Sequence, residues 1–147
     1  MSLLDSLNSD LKTALKAHDK TTLSTVRMLK AAVMNEKIKA GHDLDHSEEI
    51  AVLSRELKQR KDSAKEFADA GRQDLVPAIE AEIKIVERYL PQQLNQDQVK
   101  EIVATTIQEI GATSKADFGK VMKAVMPKLK GQADGKTVNT IVKSLLS

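Results

Sequence analysis

The sequence predicts an all-α protein in two parts: an N-terminal four-helix domain over residues 1–92 and a small three-helix bundle tail over residues 93–147. Apolar residues recur every three or four positions in seven stretches, and the alternation typical of strands is nowhere sustained. Capping residues and glycines bracket most of these stretches. Pro91 separates the fourth stretch from the fifth, and a proline interrupts a helix. The part after it has about 55 residues, near the lower limit for an independent core.

Leucine- and valine-rich stripes predict the first two helices. The first stripe ends near Asp19, and the second opens at Thr21 or Thr22 and runs to Gly41. The stripe residues of these two helices are Leu4, Leu7, Leu11, Leu15, Leu23, Val26, Leu29, Val33 and Ile38.

The third and fourth helices complete the N-terminal part. Asp45 and Glu48 form a capping box that opens the third helix, which should stop at Gly71. Pro77 fits the first turn of the fourth helix, and Pro91 should end it. Their inward residues are Ile50, Leu53, Leu57, Ile79, Ile83, Val86 and Leu90.

Three shorter helices are predicted for the tail. Asn95 and Gln98 form a second capping box, and Gly111 is suited to end the fifth helix. Ser114 should begin the sixth helix, and Asp134 should cap the seventh. The apolar stripes are Val99, Ile102, Val103, Ile107, Phe118, Val121, Met122, Val125, Met126, Val138, Ile141, Val142 and Leu145.

Composition limits the class of protein. The chain has no cysteine, so it has neither disulfides nor thiolate metal sites. No apolar run approaches the roughly 20 residues of a membrane span, and the first residues do not resemble a signal peptide. These features predict a cytoplasmic protein. Three aromatic residues, Phe67, Tyr89 and Phe118, are too few for the stacking platforms of single-strand binders.

The glycine- and lysine-rich segment near Gly135 suggests a phosphate-binding loop, but its spacing is wrong. The motif G-x-x-x-x-G-K-[ST] needs a glycine where Lys130 stands, and Gly131 is one residue too close. The motif also follows a strand, whereas the preceding segment has a helical pattern. We therefore expect two helices joined by a glycine-rich turn and no nucleotide cofactor.

No other pattern predicts catalysis. His42 and His46, with two aspartates between them, could hold a divalent metal only if their loop folded around it. We interpret them instead as part of an exposed loop. The glutamates are typical of solvated helix faces, and serines and threonines stand mostly at helix caps. We expect no catalytic residues, no metal and no cofactor.

Net positive charge is concentrated near the end of the chain. Residues 111–147 contain seven lysines and two acidic residues. On a helical wheel with Phe118 at zero, Lys120 and Lys123 lie at about 200° and 140°, opposite the apolar stripe. A solvated face explains the charge alone equally well, but a basic corner with little aromatic character also suits the phosphates of a folded RNA. The predicted RNA-contacting residues are Lys120, Lys123, Lys128, Lys130, Gly131, Gly135 and Lys136.

Five segments resemble the YqeY family and the related tail domain of GatB, a subunit of the tRNA-dependent amidotransferase. They are Lys58-Gln-Arg-Lys-Asp-Ser, Ala70-Gly-Arg-Gln-Asp-Leu, Glu87-Arg-Tyr-Leu-Pro, Gly119-Lys-Val-Met-Lys-Ala-Val-Met and Lys130-Gly-Gln-Ala-Asp-Gly-Lys-Thr-Val-Asn. The resemblance covers nearly the whole chain. It implies a helical domain followed by a three-helix tail that contacts the body of a tRNA. Gln132 departs from the family tail, which often has an arginine there.

Three functions remain open from the sequence. The leading one is a non-catalytic module that binds tRNA or another structured RNA in translation. The second is a protein-interaction module that docks on an amidotransferase or another translation component. The third is an accessory role in glutamine-dependent amide transfer, a carbon–nitrogen ligase activity whose machinery lies in other GatB domains and a partner subunit. The resemblance therefore does not imply that this chain is itself an enzyme.

Overall fold

The structure, a computed structural model, describes residues 2–146. This range contains seven α-helices and no strand, which confirms the predicted all-helical class. Spatial contacts divide the chain into two compact units, Met1–Pro91 and Gln92–Ser147. Each unit has its own cluster of buried apolar side chains.

The first unit contains four helices. These are α1 (Leu3–Lys16), α2 (Lys20–Ala40), α3 (His46–Asp69) and α4 (Val76–Glu87). Helix α1 packs against α2, α3 packs against α4, and α2 contacts both α3 and α4. The buried residues of this core are Leu7, Val26, Leu29, Val33, Ile50, Val52, Leu53, Leu57, Ile85, Val86 and Leu90.

Side-chain caps define where α2 and α3 begin. The capping box of Asp45 and Glu48 is present, as predicted, and Glu48 N donates to Asp45 Oδ1 over 2.8 Å. Helix α2 begins one residue before the predicted Thr21, because Asp19 accepts hydrogen bonds from both the backbone and the hydroxyl of Thr22. Short polar side chains satisfy the N–H groups that the first turn of a helix leaves unpaired.

Helix α4 ends at Glu87, before the predicted stop at Pro91. The next three residues form tighter i to i−3 bonds, the last being Leu90 N to Glu87 O. A residue that precedes a proline is disfavoured in helical backbone, so the helix unwinds before Leu90 rather than at Pro91. Leu90 nevertheless remains in the core.

The second unit contains α5 (Gln96–Ile110), α6 (Phe118–Leu129) and α7 (Gly135–Leu145). Each of these helices packs against the other two. The predicted capping box of Asn95 and Gln98 is present, and Gly111 ends α5 in the left-handed conformation with φ of 68°. The buried residues are Val99, Val103, Val121, Val125, Leu129, Val138, Val142 and Leu146.

Helix α6 begins later than predicted and contains a proline. Ser114 caps a single 3-10 turn, Lys115–Asp117, and the α-helix itself begins at Phe118. Pro127 lies inside α6, which continues to Leu129. Proline has no backbone N–H, so α6 lacks one of its regular i to i−4 hydrogen bonds.

Candidate nucleic-acid interface

Lys120 and Lys123 lie on the solvent side of α6. Val121, Val125 and Leu129 are completely buried, and they fix which side of the helix faces the core. The two lysines lie on the opposite side of the helix from these positions, and both are exposed. The side chain of Lys120 is 80% exposed.

Few negative charges neutralise this pair of lysines. Asp117 Oδ1 lies 3.9 Å from Lys120 Nζ. The same carboxylate accepts the backbone N–H of Thr113 over 3.0 Å, and this bond lowers the pKa of Asp117. Lys123 makes no ion pair with any residue between 2 and 146. The two ammonium groups therefore present positive charge to solvent.

Lys128 faces a different neighbour. Its ammonium donates to Glu109 Oε2 over 2.8 Å and to Thr106 Oγ1 over 3.1 Å, so it ties α6 to α5. Thr106 is buried, and Glu109 is exposed. The local sequence does not predict this contact, because the partners are 19 and 22 residues away. Lys128 acts first as a link between two helices.

The turn after α6 is held by the segment that precedes α5. Gly131 adopts the left-handed conformation, with φ of 75°, and its carbonyl accepts a hydrogen bond from the Gln93 amide. The backbone N–H of Leu94 donates to the Gln132 carbonyl over 2.9 Å. The side-chain amide of Gln132 donates in return to the Gln92 carbonyl over 3.2 Å. We call these three hydrogen bonds the linker clasp.

The start of α7 is already occupied by a carboxylate. Asp134 accepts the backbone N–H of Lys136 over 3.3 Å, as the predicted cap should. A Cβ built on Gly135 would lie 3.7 Å from the terminal methyl of Met126. Gly135 thus turns that side toward the interior, whereas the side chain of Lys136 is exposed.

The predicted residues therefore form three groups rather than one. Lys120 and Lys123 share the outer face of α6, Lys128 contacts α5, and the remaining ones lie on the turn after α6 or at the start of α7. That last group comprises Lys130, Gly131, Gly135 and Lys136. A further lysine outside the predicted set, Lys143, lies over the Phe118 ring, 5.7 Å from its centroid.

The histidine-containing loop of the first unit is organised by other contacts. Asp43 pairs with Lys37 over 2.8 Å, Asp45 caps α3, and His42 Nε2 lies 3.6 Å from Glu48. Within residues 2–146, no three histidine, cysteine or acidic side chains are grouped as metal ligands would be. No helix in the same range is long and apolar enough to cross a membrane.

Several similar proteins carry the name "Altered inheritance of mitochondria protein 41, mitochondrial". The protein of Pyrenophora tritici-repentis is 27% identical over 133 residues, which is 89% of this chain and 73% of that protein. The protein of Lachancea thermotolerans is 42% identical over 95 residues, or 62% of this chain and 51% of that protein. That of Saccharomyces cerevisiae (strain YJM789) is 28% identical over 133 residues, 90% of this chain. The match thus spans about half of the Lachancea protein and 63% of the Saccharomyces one.

These names contradict the predicted cytoplasmic location, because the relatives are named as mitochondrial proteins. The prediction was wrong for a physical reason. A charged, helical composition without cysteine is compatible with any aqueous reducing compartment. Such a composition therefore cannot distinguish the cytoplasm from another compartment of this kind.

The match to a protein family is broader than any of these pairwise similarities. The family described as "Yqey-like protein" matches residues 4–146, which include all seven helices apart from Leu3, the first residue of α1. The segments around α3, α4 and α6 that resemble this family all lie inside the match. The chain belongs to the YqeY family.

Proposed function

We propose that this protein is a non-catalytic module that binds tRNA or another structured RNA. The observation that carries the proposal is the pair formed by Lys120 and Lys123, exposed on α6 and short of counter-charges, directly opposite a completely buried valine face. The helix places both lysines on the same exposed face. Such a surface suits phosphates, which position a nucleic acid without reading its sequence.

Charge distribution favours the second unit as the binding part. Residues 111–147 carry seven lysines against two acidic residues, whereas residues 1–92 carry fifteen basic and sixteen acidic residues. Both acidic residues of the basic segment, Asp117 and Asp134, cap backbone N–H groups. A local excess of this kind attracts polyanions through long-range electrostatics.

The RNA is expected to be folded rather than single-stranded. The second unit contains one aromatic residue, Phe118, and Lys143 covers its ring. Unstacked bases bind to exposed aromatic faces, and this unit offers none for that purpose. Recognition by backbone shape is what the remaining chemistry supports. The resemblance of this tail to the tRNA-contacting domain of GatB favours tRNA among folded RNAs.

Charge reversal on α6 tests the proposal. The double variant Lys120→Glu/Lys123→Glu should lose most of its affinity for a tRNA transcript. The slope of log affinity against log salt should also become shallower by about 1.5 to 2, because two phosphate contacts are removed. Fluorescence anisotropy at several salt concentrations measures both quantities.

A matched control separates the site from net charge. Lys12→Glu/Lys16→Glu makes the same change in total charge on the exposed lysines of α1. This control should change the affinity much less. Equal effects of the two double variants would mean that tRNA responds only to net charge, and unchanged binding in the α6 variant would refute the site.

We further propose that the chain divides into a four-helix domain and a three-helix tail domain that unfold separately. Two buried apolar clusters, one in each unit, support this division. Leu29→Ala should weaken amide protection only in the first cluster, and Val103→Ala only in the second, as measured by residue-resolved hydrogen exchange. Loss of protection in both clusters from either substitution would show one cooperative domain.

A second candidate function, docking of a protein partner in translation, is favoured by an apolar cleft in the first unit. The cleft, of about 570 Å³, is lined by Leu4, Met34 and Ile38 together with Lys37 and the loop at His42. Ile38 is 77% exposed, which is unusual for a large apolar side chain. Side chains of this kind often form the centre of protein contacts.

Substitution of one exposed apolar residue tests this second candidate. Ile38→Asp should abolish capture of an amidotransferase or another translation protein from nuclease-treated extract. Leu15→Asp alters another exposed apolar residue, outside the cleft, and should leave capture unchanged. Capture that depends on intact RNA, or that survives Ile38→Asp, would contradict this function.

A further inference from the structure

We propose that the main-chain carbonyl of Lys123 accepts a hydrogen bond from a ribose 2′-hydroxyl, and that Pro127 makes this possible. The inference deepens the proposed function and rests on it. It identifies a backbone group on the basic face of α6 that distinguishes RNA from DNA.

The chemistry begins with the position of Pro127. In an α-helix the carbonyl of one residue accepts the N–H of the residue four positions later. Pro127 stands four positions after Lys123 and has no N–H to donate. Helix α6 continues to Leu129, so Pro127 is an interior residue and does not end the helix. The Lys123 carbonyl is therefore left without its regular partner.

The helix surface around this carbonyl is open to solvent. Lys123 and Pro127 are both exposed, one helical turn apart on the same side of α6. A helical carbonyl points along the axis toward the residue four positions later, so this one points at the Pro127 ring, and a donor reaches it from the exposed outer side of α6. One turn earlier, Gly119 is exposed, and a Cβ built there would meet no atom within 4 Å. A nucleic-acid backbone can therefore approach α6 closely.

The identity of the donor follows from what nucleic-acid backbones carry. Phosphate oxygens only accept hydrogen bonds, so they suit the Lys120 and Lys123 ammonium groups and cannot bond to a carbonyl. The 2′-hydroxyl of RNA is a donor, and DNA has no equivalent group. A ribose and its phosphate belong to the same nucleotide, so one backbone segment can supply both an anion and a donor to this face.

Restoring the missing N–H tests the inference. Pro127→Ala supplies the donor for a regular helical bond to the Lys123 carbonyl, and alanine is the best helix former. Protection of the new amide from hydrogen exchange in the free protein reports that the helical bond has formed. Binding is then measured to a tRNA transcript and to transcripts with single 2′-deoxy nucleotides in the region that the protein protects.

A specific pattern of affinities is expected when each protein variant is combined with the unmodified and the 2′-deoxy transcripts. In the unaltered protein, one deoxy position should weaken binding about three- to tenfold, the size of one hydrogen bond. Pro127→Ala should weaken binding of the unmodified transcript by a similar factor, and the deoxy substitution should then cost nothing more. Lys123→Gln serves as the control: it should weaken binding to both transcripts, and the deoxy penalty should persist.

Two results would overturn the inference. Only the second of them would also overturn the proposed RNA-binding function. If tRNA binds through Lys120 and Lys123 but the deoxy penalty is absent, or is the same in Pro127→Ala, the carbonyl plays no part and the proposed function stands. If the unaltered protein binds no tRNA transcript at all, the proposed function itself fails.

Discussion

His18 stores backbone strain in the connection between α1 and α2. It is a non-glycine residue with positive φ, at 55°. The backbone N–H of Asp19 donates to the Ala14 carbonyl across it, over 3.0 Å, as in helix ends where glycine is usual. The left-handed conformation brings Cβ too close to the following carbonyl, and only glycine escapes this cost.

Replacement of His18 by glycine should therefore stabilise the protein. We expect His18→Gly to raise the free energy of unfolding by up to about 1 kcal/mol, measured by urea denaturation. His18→Ala retains a Cβ and serves as the control, with stability equal to or below that of the unaltered chain. A loss of stability in His18→Gly would mean that the imidazole makes a favourable contact that outweighs the strain.

His42 makes the stability of the first unit depend on pH. Its pKa is raised above the ordinary 6.5, mainly because its ring donates to the Asp43 carbonyl and also because Glu48 is near. A raised pKa in the folded state means that the protonated ring is stabilised by folding. This contribution to stability is complete below the ordinary pKa of histidine and is lost as the pH rises through the raised pKa of His42.

Thermal unfolding between about pH 5.5 and 8.5 measures this effect. The melting temperature should fall across that range in the unaltered protein. His42→Gln should show a flatter profile. An unchanged slope in His42→Gln would assign the pH dependence to other groups.

Helices α3 and α4 are joined by a buried arginine. Arg60 on α3 pairs with Glu56 on the same helix over 2.8 Å and with Glu82 on α4 over 3.5 Å, and its side chain is only 9% exposed. Its Nε makes no hydrogen bond. A buried charge depends strongly on its partners, because it has given up hydration that the protein must replace.

Loss of this arginine should cost far more than loss of a surface one. We expect Arg60→Ala to lower the free energy of unfolding by about 3 kcal/mol, because two partly buried carboxylates lose their partner. Arg55→Ala breaks an exposed pair with Glu36, whose atoms are 3.2 Å apart, and should cost less than about 1 kcal/mol. Comparable losses in urea denaturation would show that the Arg60 cluster contributes no more than a surface pair.

Helix positions followed from the sequence where local chemistry decides them. The capping boxes of Asp45 and Asn95 involve residues three apart, so the sequence contains the whole interaction. The same holds for Gly41 and Gly111 at helix ends. The sequence is less informative where a residue that usually ends a helix competes with an apolar residue that favours its continuation. Pro127 resembles a stop but lies within α6, because the core contact of Leu129 extends the helix past it.

Across the whole molecule, the candidate site was only partly predictable. Helical phase was sufficient to place Lys120 and Lys123 on the outer face of α6. It could not reveal the bond between Lys128 and Glu109, because that contact depends on how α5 and α6 pack. Nor could it reveal the linker clasp, whose partners are about 40 residues apart in sequence. Tertiary contacts of this length have no local signature.

The linker clasp has a practical consequence for where the tail can be cut. Asn95 caps α5 and would seem a natural first residue for an isolated tail. A fragment that begins there lacks Gln92, Gln93 and Leu94, so it loses all three hydrogen bonds to the turn at Gly131 and Gln132. It also loses the apolar contact of Leu94 with the second core.

We therefore expect the fragment of residues 92–147 to unfold cooperatively on heating, and the fragment of residues 95–147 to be less stable by about 2 kcal/mol. In the full chain, Gln132→Ala should reproduce part of that loss, whereas Gln108→Ala, on an exposed face of α5, should not. Equal stability of the two fragments would show that the tail begins at Asn95. A less stable 95–147 fragment would show that residues 92–94 are a structural part of the tail and not only a linker.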